Sequence, residues 1–377
     1  MSIHSQRLPA EWKEGQVTPI FKKGSRSSPG NYRPVSLTSV ICKLLESIVR
    51  NALMEHMEEH LTQCQHGFLT GRSCTTQLLD TMDLLTEFLD NREAVDVIFL
   101  DFAKAFDSVP HQRLVTKLAG YGVGGRVLGW IKDFLTERRQ RVCVNGATSS
   151  WNSVLSGIPQ GSVLGPVLFI CFVNDMPEAV ENFIRMFADD TKIFAAVRNA
   201  SDGEKLQRDL QRLQEWTKVW QLRFNTGKCK VMHLGTNNCR HVYSMDGESG
   251  QCPLLETECE KDLGVHVDPA LKFSAHCEKA ASKANRLVGL IRRSFNYIDA
   301  QMMVQLFKSI VRPHLEYANV VWSPLYKKDS ELLENVQRRA TKLVPELRNC
   351  DYEERLRLLG LPSLTYRRLR GDLIEVL

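Results

Sequence analysis

The sequence predicts an α+β fold in which short buried strands end in acidic residues and a helical region follows. The first observation is a pair of adjacent acids, Asp189 and Asp190, between two short apolar segments. Segments of this length are typical of strands, so the two acids fall on the turn of a hairpin. The second observation is another apolar strand, which ends at Asp101. The third is a change to helical apolar spacing and basic composition after about residue 270.

These three acids indicate a cation site. Burying an unpaired carboxylate is costly and adjacent carboxylates repel each other, so a positive group must neutralise them. Asp101, Asp189 and Asp190 would suffice for a metal-dependent phosphoryl-transfer site, in which divalent ions activate a hydroxyl and stabilise the leaving pyrophosphate. Oxygen ligands favour Mg2+, which usually takes only one or two carboxylates per ion.

The remaining elements follow from apolar spacing and turn residues. Residues 1–35 look irregular and basic, and a helix is predicted over 37–59. Its predicted packing residues are Val40, Leu44, Ile48 and Leu53. The elements predicted after it are a loop at 65–73, helices at 75–91 and 111–119, a strand at 95–100, a hairpin at 138–155 that turns at Asn145-Gly146, a loop at 157–161, helices at 163–175 and 206–216, strands at 230–234 and 263–267, and helices at 279–293, 301–311 and 330–344.

Composition is that of an ordinary globular protein, with 43% hydrophobic and 25% charged residues. No apolar run is long enough to cross a membrane and the N-terminus lacks the apolar core of a secretory signal, so we expect a nuclear or cytoplasmic protein. The eleven cysteines include no Cys-x-x-Cys pair, which indicates reduced thiols rather than a zinc site.

Charge is distributed unevenly along the chain. Residues 1–50 carry 8 Lys/Arg and 3 Asp/Glu, residues 51–270 carry 22 and 29, and residues 271–377 carry 19 and 12. An acidic middle between basic ends suits a metal site flanked by surfaces that bind nucleic acid. Solvated helix faces would give the same pattern, so charge alone does not decide between the two.

Three motifs carry the most specific signal, namely LDFAKAFDSVP at 100–110, SGIPQGSVLGP at 156–166 and FADD at 187–190. They resemble the successive palm motifs of reverse transcriptases, specifically those of non-LTR (LINE-type, CR1/jockey-like) retrotransposons. Further motifs resemble the fingers and primer grip of that group: NYRPVSL at 31–37, QHGF at 65–68 and KDLGV at 261–265. The motifs occur in the family order, and the resemblance covers nearly the whole chain.

The resemblance implies roles for the acids and for the residues around them. Asp101 and Asp189 would bridge two Mg2+ ions, for which Mn2+ can substitute, and Asp190 would support one of them. Phe106 would lie under the sugar and exclude a ribose 2′-hydroxyl, although a core aromatic is the alternative. The loop residues that would touch the incoming nucleotide and the template are Gln160 and Gly161.

Basic residues receive roles from the same resemblance. Arg33 is expected to contact the triphosphate, because a guanidinium matches phosphate geometry. Lys228 is a candidate general acid for the leaving pyrophosphate. A solvated surface lysine is the alternative for Lys22 and for Lys228. The residues expected to contact nucleic acid are Lys22, Arg72, Gly264, Lys279, Lys283 and Arg286.

The implied architecture is a polymerase right hand. Fingers and palm would occupy residues 1–270, with the acids on an antiparallel palm sheet, and a helical thumb with a C-terminal extension would occupy 271–377. The implied reaction adds deoxynucleotides (dNTPs) to the 3′-end of a DNA primer on an RNA template. Complete elements of this group carry an upstream endonuclease, so we expect a partial copy that needs a separate source of nicked target DNA.

Two other functions stay open. A catalytically silent remnant would bind primer–template through the basic thumb without extending the primer. RNA-directed RNA synthesis is the third reading, and Phe106 argues against it.

Overall fold

A computed structural model describes residues 2–247 and 250–376. The helices among them are α1 (Ser2–Ser5), α2 (Val40–Met57), α3 (Cys74–Asp90), α4 (Ala105–Ser108), α5 (His111–Gly120), α6 (Gly125–Leu135), α7 (Gly165–Val173), α8 (Ala200–Trp220), α9 (Ser274–Ser294), α10 (Ala300–Leu306), α11 (Pro313–Glu316), α12 (Asn319–Trp322), α13 (Lys327–Thr341), α14 (Tyr352–Leu359) and α15 (Leu364–Val376). A π-helical turn over Phe307–Val311 follows α10.

The strands are β1 (Glu14–Phe21), β2 (Tyr32–Leu37), β3 (Val95–Leu100), β4 (Arg139–Val144), β5 (Ala147–Thr148), β6 (Asn152–Ser153), β7 (Phe183–Phe187), β8 (Asp190–Ala196), β9 (Lys230–Leu234), β10 (Ser244–Gly247), β11 (Gly250–Pro253), β12 (Leu255–Glu256), β13 (Glu260–Asp262) and β14 (Val265–Val267). Helices and largely antiparallel strands occur in one chain, so the predicted α+β class is confirmed.

The chain divides into two compact units. The first unit comprises the residues before Cys74 together with Asp96–Val231 and Cys239–Leu255. The second comprises Cys74–Val95, Met232–Asn238 and the residues from Glu256 onward. The predicted division into 1–270 and 271–377 stays a prediction.

The first unit contains the hairpin of β7 and β8, which pair antiparallel with Phe187 opposite Asp190, as the sequence predicts. Strand β3 lies next to β8 in the same sheet. Helix α7 has buried residues on every side, which places it in the core, because an exposed helix keeps a polar face. It begins at Gly165 and ends at Val173, inside the predicted helix at 163–175.

The prediction that residues 1–35 are irregular is wrong. Strand β1 pairs antiparallel with β2, from Gln16 opposite Leu37 to Phe21 opposite Tyr32. It also pairs in parallel with β4, which is more than a hundred residues away along the chain. The sequence of β1 contains a glycine and a proline and has little apolar alternation, so distant pairing rather than local propensity makes it a strand.

The buried face predicted for helix α2 is also wrong. Val40, Leu44 and Ile48 are exposed, at 74, 65 and 60% of their full accessibility, although Leu53 is buried as predicted. The residues that face the core are Cys42, Glu46, Val49, Leu53 and Met57. These positions form a second helical stripe on the same helix, and the sequence pattern alone did not distinguish the two.

The hairpin predicted at 138–155 turns where expected. Asn145 and Gly146 both have positive φ, 49° and 84°, as a type I′ turn requires. The strand directly across the turn is β5, and β6 pairs separately with the start of β4 at Arg139 and Gln140. The second half of the predicted hairpin therefore contains two two-residue strands, β5 and β6, and no single continuous strand.

The second unit is mainly helical. Helix α9 packs against α13, and α12 packs against α3 and α15. Its fully buried side chains include Trp322, Phe307 and Leu333. The predicted strand at 263–267 is β14, which begins only at Val265. None of the helices in the described part of the chain is long and apolar enough to cross a membrane.

Candidate active site

Asp101 lies immediately after β3, and its backbone is fixed on both sides. The Asn225 N–H donates to the Asp101 carbonyl at 2.7 Å, and the Asp101 N–H donates to Cys229 Sγ at 3.5 Å. Next to it, the ring of Phe102 stacks on Phe224 with 4.6 Å between centroids. The segment at 223–229 thus holds the end of β3 and the aspartate that follows it.

Asp189 lies in the two-residue turn between β7 and β8. Ala188, the first turn residue, has a φ of +55°, as the primed turns of hairpins require. The Gln65 side-chain oxygen accepts hydrogen bonds from the Ala188 N–H at 2.8 Å and from the Gly67 N–H at 2.7 Å. A Cβ on Gly67 would approach the Ala188 nitrogen to 2.5 Å, so only glycine fits. The QHGF loop therefore positions the acidic turn.

Asp101 and Asp189 influence each other electrostatically. Burial raises the pKa of Asp189 above its ordinary value, and the negative charge of Asp101 raises it further. The positive charges of Arg33 and Lys22 lower the pKa of Asp189. Three other predicted site residues of the first unit therefore act electrostatically on Asp189. Asp190, the first residue of β8, is exposed.

Lys228 contacts Asp101 directly. Its Nζ lies 2.7 Å from Asp101 Oδ2, and the side chain of Lys228 is 58% exposed. The Lys228 N–H donates to the Asn225 carbonyl at 2.9 Å, so the turn that fixes Asp101 also carries the lysine. The Lys228 ammonium therefore already pairs with Asp101, one of the two carboxylates.

The carboxylates fit a divalent cation only in part. Within residues 2–247 and 250–376, no three His, Cys, Asp or Glu side chains converge as a metal-ligand set. The pair of Asp101 and Asp189 is nevertheless the oxygen donor set that Mg2+ needs from a protein, since substrate phosphates and water supply its other ligands. Burial and then the charge of Asp101 raise the pKa of Asp189, and such a cation would relieve the repulsion between the two carboxylates.

Arg33 and Lys22 lie on the β1–β2 hairpin. Arg33 is opposite Ile20 in the strand register, and the Lys22 N–H donates to the Asn31 carbonyl at 2.8 Å. Both basic side chains are exposed. They provide positive charge close to Asp189 without being paired to it, which is the arrangement an anionic substrate needs.

Phe106 and the loop at 157–161 form the neighbouring part of the site. The Phe106 ring is half-buried and stacks on Phe169, with centroids 4.4 Å apart and planes 19° apart. The Ser36 N–H donates to the Gln160 carbonyl at 2.7 Å. Gly161 has a φ of +108°, and a Cβ there would lie 2.6 Å from the Ser36 carbonyl oxygen. Strand β2 and the loop at 157–161 are therefore in backbone contact.

Arg72 bonds to its own loop. Its guanidinium donates to the carbonyls of Gln63 and Gln65, at 2.8 and 2.5 Å, and to the Gln63 side chain. Because Gln65 holds the acidic turn, Arg72 supports that turn indirectly, through its hydrogen bond to Gln65. The contact with nucleic acid expected of Arg72 stays a prediction.

The remaining predicted residues belong to the second unit. Gly264, with a φ of +97°, forms the turn between β13 and β14, and a Cβ on it would lie 2.9 Å from the Tyr317 ring. The Tyr317 hydroxyl donates to the Leu263 carbonyl at 2.8 Å. Three predicted residues on α9 are exposed and are spaced so that they lie along one face of the helix: Lys279, Lys283 and Arg286. Lys279 Nζ lies 3.1 Å from His266 Nδ1.

The family model described as "Reverse transcriptase (RNA-dependent DNA polymerase)" matches residues 20–274, which is more than half of the chain. This chain belongs to the reverse transcriptase family. The match confirms the predicted reverse transcriptase family. The matched range includes the acidic pair, Lys228 and the loop that contains Gln160.

Curated relatives of this reverse transcriptase chain come from mobile elements. It is 26% identical over 360 residues to the probable RNA-directed DNA polymerase from transposon X-element of Drosophila melanogaster, covering 91% of this chain and 38% of that protein. It is 30% identical over 335 residues to the RNA-directed DNA polymerase from mobile element jockey of the same species, covering 84% of this chain and 36% of that protein. The chain thus spans little more than a third of the length of these relatives.

Solved structures similar to this reverse transcriptase chain include telomerase from Candida albicans in complex with the TWJ fragment of telomeric RNA. That likeness has a TM-score of 0.48 at 11% identity and covers 95% of this chain and 68% of the other. Telomerase from Candida tropicalis, in complex with the same type of fragment, gives a TM-score of 0.47 at 10% identity, with 94% and 65% covered.

Two residues with clear contacts in this reverse transcriptase chain were not among the predicted site residues. Gln65 holds the turn of Asp189, and Asp107 accepts a hydrogen bond from the Gln160 side chain at 2.9 Å. Gln65 lies in the QHGF motif at 65–68, and Asp107 lies in the LDFAKAFDSVP motif at 100–110. Their partners are 123 and 53 residues away, so only the folded chain shows what they bond.

Proposed function

We propose that this reverse transcriptase chain catalyses RNA-directed DNA synthesis, adding deoxynucleotides to the 3′-end of a DNA primer on an RNA template. The observation that carries the proposal is the acidic pair, Asp101 and Asp189, with the positive charges of Arg33 and Lys22 acting on Asp189. Two carboxylates beside unpaired basic groups suit a reaction in which charged phosphates bind and a hydroxyl is activated.

The residues of the first unit have distinct parts in this proposal. Asp101 and Asp189 would hold Mg2+, as two ions that Mn2+ can replace, with Asp190 supporting one of them. When bound, the cation would lower the pKa of the primer 3′-hydroxyl and neutralise charge on the phosphates. Arg33 and Lys22 would hold the triphosphate of the incoming nucleotide.

In the proposal Lys228 supplies a proton. Its ammonium is held by Asp101 at 2.7 Å and is more than half exposed, so it can reach a group bound at the carboxylates. In the proposal it protonates the pyrophosphate as the bond from phosphorus to the leaving oxygen breaks. A positive charge there also stabilises the transition state before the proton moves.

Phe106 and the second unit complete the proposal. In the proposal the Phe106 ring, which stacks on Phe169, excludes a 2′-hydroxyl from the sugar site. Lys279, Lys283 and Arg286 on α9 would contact nucleic acid through its phosphates, without reading sequence. Gly264 would contact the primer, and a separate source of nicked target DNA would supply that primer in a nuclear or cytoplasmic setting.

One observation favours a second function. Because Lys228 already pairs with Asp101, the acidic site can be neutralised in part without a metal ion. A silent protein that binds primer–template and does not extend it would keep this ion pair as a purely structural contact.

Primer extension separates the two functions. Purified chain is incubated with poly(rA)/oligo(dT) and dTTP or UTP, with Mg2+, with Mn2+ or with EDTA. The proposal predicts extension that needs a divalent ion and strongly prefers dTTP over UTP, because Phe106 excludes the ribose hydroxyl. Binding of primer–template without extension under every condition would support the silent protein instead.

A further inference from the structure

The guanidinium of Arg72 is bound within its own loop, although the sequence predicts a contact with nucleic acid. Its Nη1 atom donates to the carbonyl oxygens of Gln63 and Gln65, at 2.8 and 2.5 Å, and its Nη2 atom donates to the Gln63 side-chain oxygen. Two of these three acceptors are backbone atoms. The side chain therefore ties Arg72 to the backbone nine and seven positions earlier in the chain.

The same loop is joined to strand β7 by backbone pairing. The Met186 N–H donates to the Cys64 carbonyl at 2.9 Å, and the His66 N–H donates to the Met186 carbonyl at 2.9 Å. Gln65 is thus paired in parallel with Met186, which is fully buried. Asp189 is the third residue after Met186, so the backbone of the loop and the backbone that leads into the acidic turn are held together.

The Gln65 side chain extends this connection to the turn itself. Its Oε1 atom accepts from the Ala188 N–H at 2.8 Å and from the Gly67 N–H at 2.7 Å. Ala188 has a φ of +55°, a left-handed conformation that a residue with a Cβ rarely adopts without contacts that hold it. Because Asp189 is the next residue, the direction of its carboxylate depends on the bond from Gln65.

Two roles for Arg72 make different demands on the side chain. A phosphate contact needs a positive charge at an accessible position, and a lysine can supply it. A brace across the carbonyls of two residues needs a guanidinium, whose N–H groups point in fixed directions from a rigid plane. The bonds to Gln63 and Gln65 are of the second kind.

We propose that Arg72 is a positioning residue of the polymerase reaction, which acts through Gln65 to hold Asp189 in the orientation that binds a divalent cation. The proposal rests on the proposed function, since it takes Asp189 as a metal-binding carboxylate. It gives Arg72 a part in the acidic site in place of the predicted contact with nucleic acid.

The test compares Arg72→Ala and Arg72→Lys with the control Arg126→Ala. Arg126 is an exposed arginine on α6 in the same unit, and its loss changes the net charge as Arg72→Ala does. Three quantities are measured for each chain. They are the affinity for Mn2+, from the electron paramagnetic resonance of the unbound ion, the affinity for primer–template at several salt concentrations, and kcat for extension on poly(rA)/oligo(dT).

For Arg72→Ala and Arg72→Lys alike we expect Mn2+ binding about tenfold weaker and kcat about tenfold lower, because residues that orient a metal ligand typically contribute factors of this size or more. Primer–template affinity and its salt dependence should stay near the parent values, and Arg126→Ala should match the parent throughout. Gln65→Met removes the acceptor at similar volume and should lower Mn2+ affinity as well. Arg72→Ala in the Gln65→Met background should add little, because both changes act on one set of contacts.

Two results would overturn the inference. An Arg72→Lys chain with the Mn2+ affinity and kcat of the parent would show that charge alone matters at this position. An Arg72→Ala chain with unchanged Mn2+ affinity but weaker, less salt-dependent primer–template binding would assign Arg72 to nucleic acid. If Arg72→Ala does not fold, Arg72→Lys and Gln65→Met decide by the same measurements.

Failure of the proposed function would look different. A parent chain that binds Mn2+ without extending the primer contradicts the proposed function alone, because the Mn2+ affinities of the variants still decide the role of Arg72. A parent chain whose Mn2+ affinity is unchanged by Asp189→Asn contradicts both.

Discussion

At the scale of single residues, the site is organised around two carboxylates from separate strand ends. Asp101 follows β3, and Asp189 lies in the turn that Gln65 holds. Burial and the charge of Asp101 raise the pKa of Asp189, while Arg33 and Lys22 lower it. This balance of charges supports the proposal that phosphates and cations bind here.

Lys228 is the residue for which the geometry gives the sharpest functional expectation. Replacing it with alanine removes the ammonium 2.7 Å from Asp101. We expect kcat for primer extension to fall by roughly 100-fold with little change in primer–template affinity, since general acids typically contribute factors of this size. Lys228→Arg keeps the charge but is a poor proton donor, so it should remain slow. Full activity in Lys228→Arg would show that charge alone matters, and full activity in Lys228→Ala would remove the residue from the mechanism.

The sequence predicted these acids because the signal is local. An apolar strand followed by an acid, and an acidic pair between two apolar segments, identify Asp101, Asp189 and Asp190 without knowledge of the fold. The bond between Asp107 and Gln160 has no local signal, because its two ends are 53 residues apart and each is an ordinary polar residue in a loop.

At the scale of elements, helix α2 shows how a distant contact selects the buried face of a helix. Glu46 is fully buried, and its side-chain oxygen accepts from the backbone N–H groups of Val163 and Leu164 at 2.7 and 3.0 Å. These groups lie just before α7, where a helix has unpaired N–H groups and favours negative charge. The carboxylate therefore faces the core, and Val40, Leu44 and Ile48 face outward.

This contact predicts a loss of stability on substitution. Glu46→Ala would leave one buried and one partly buried N–H group without their acceptor and should lower the free energy of unfolding by about 2 kcal/mol. Glu55→Ala is the matched control on the same helix, because Glu55 is exposed. Urea unfolding followed by tryptophan fluorescence measures both variants. Equal midpoints for Glu46→Ala and Glu55→Ala would contradict the capping role of Glu46.

At the scale of the whole molecule, each compact unit is assembled from segments that are distant in sequence. The second unit combines the C-terminal helices with α3, which packs on α12, and with residues 232–238. The change of composition near residue 270 is visible in the sequence, whereas the association of α3 with helices more than two hundred residues later is not. A periodic pattern predicts that a helix exists but not which helix it will contact.

We expect Asp189 to be a catalytic carboxylate of this reverse transcriptase. The most direct test is primer extension on poly(rA)/oligo(dT) with Mg2+ by the parent chain, by Asp189→Asn and by Asp83→Asn, an exposed control aspartate. Primer–template binding is measured in the same samples. We predict that Asp189→Asn loses extension and keeps binding, while Asp83→Asn matches the parent. Extension by Asp189→Asn at the parent rate would contradict a catalytic role for Asp189.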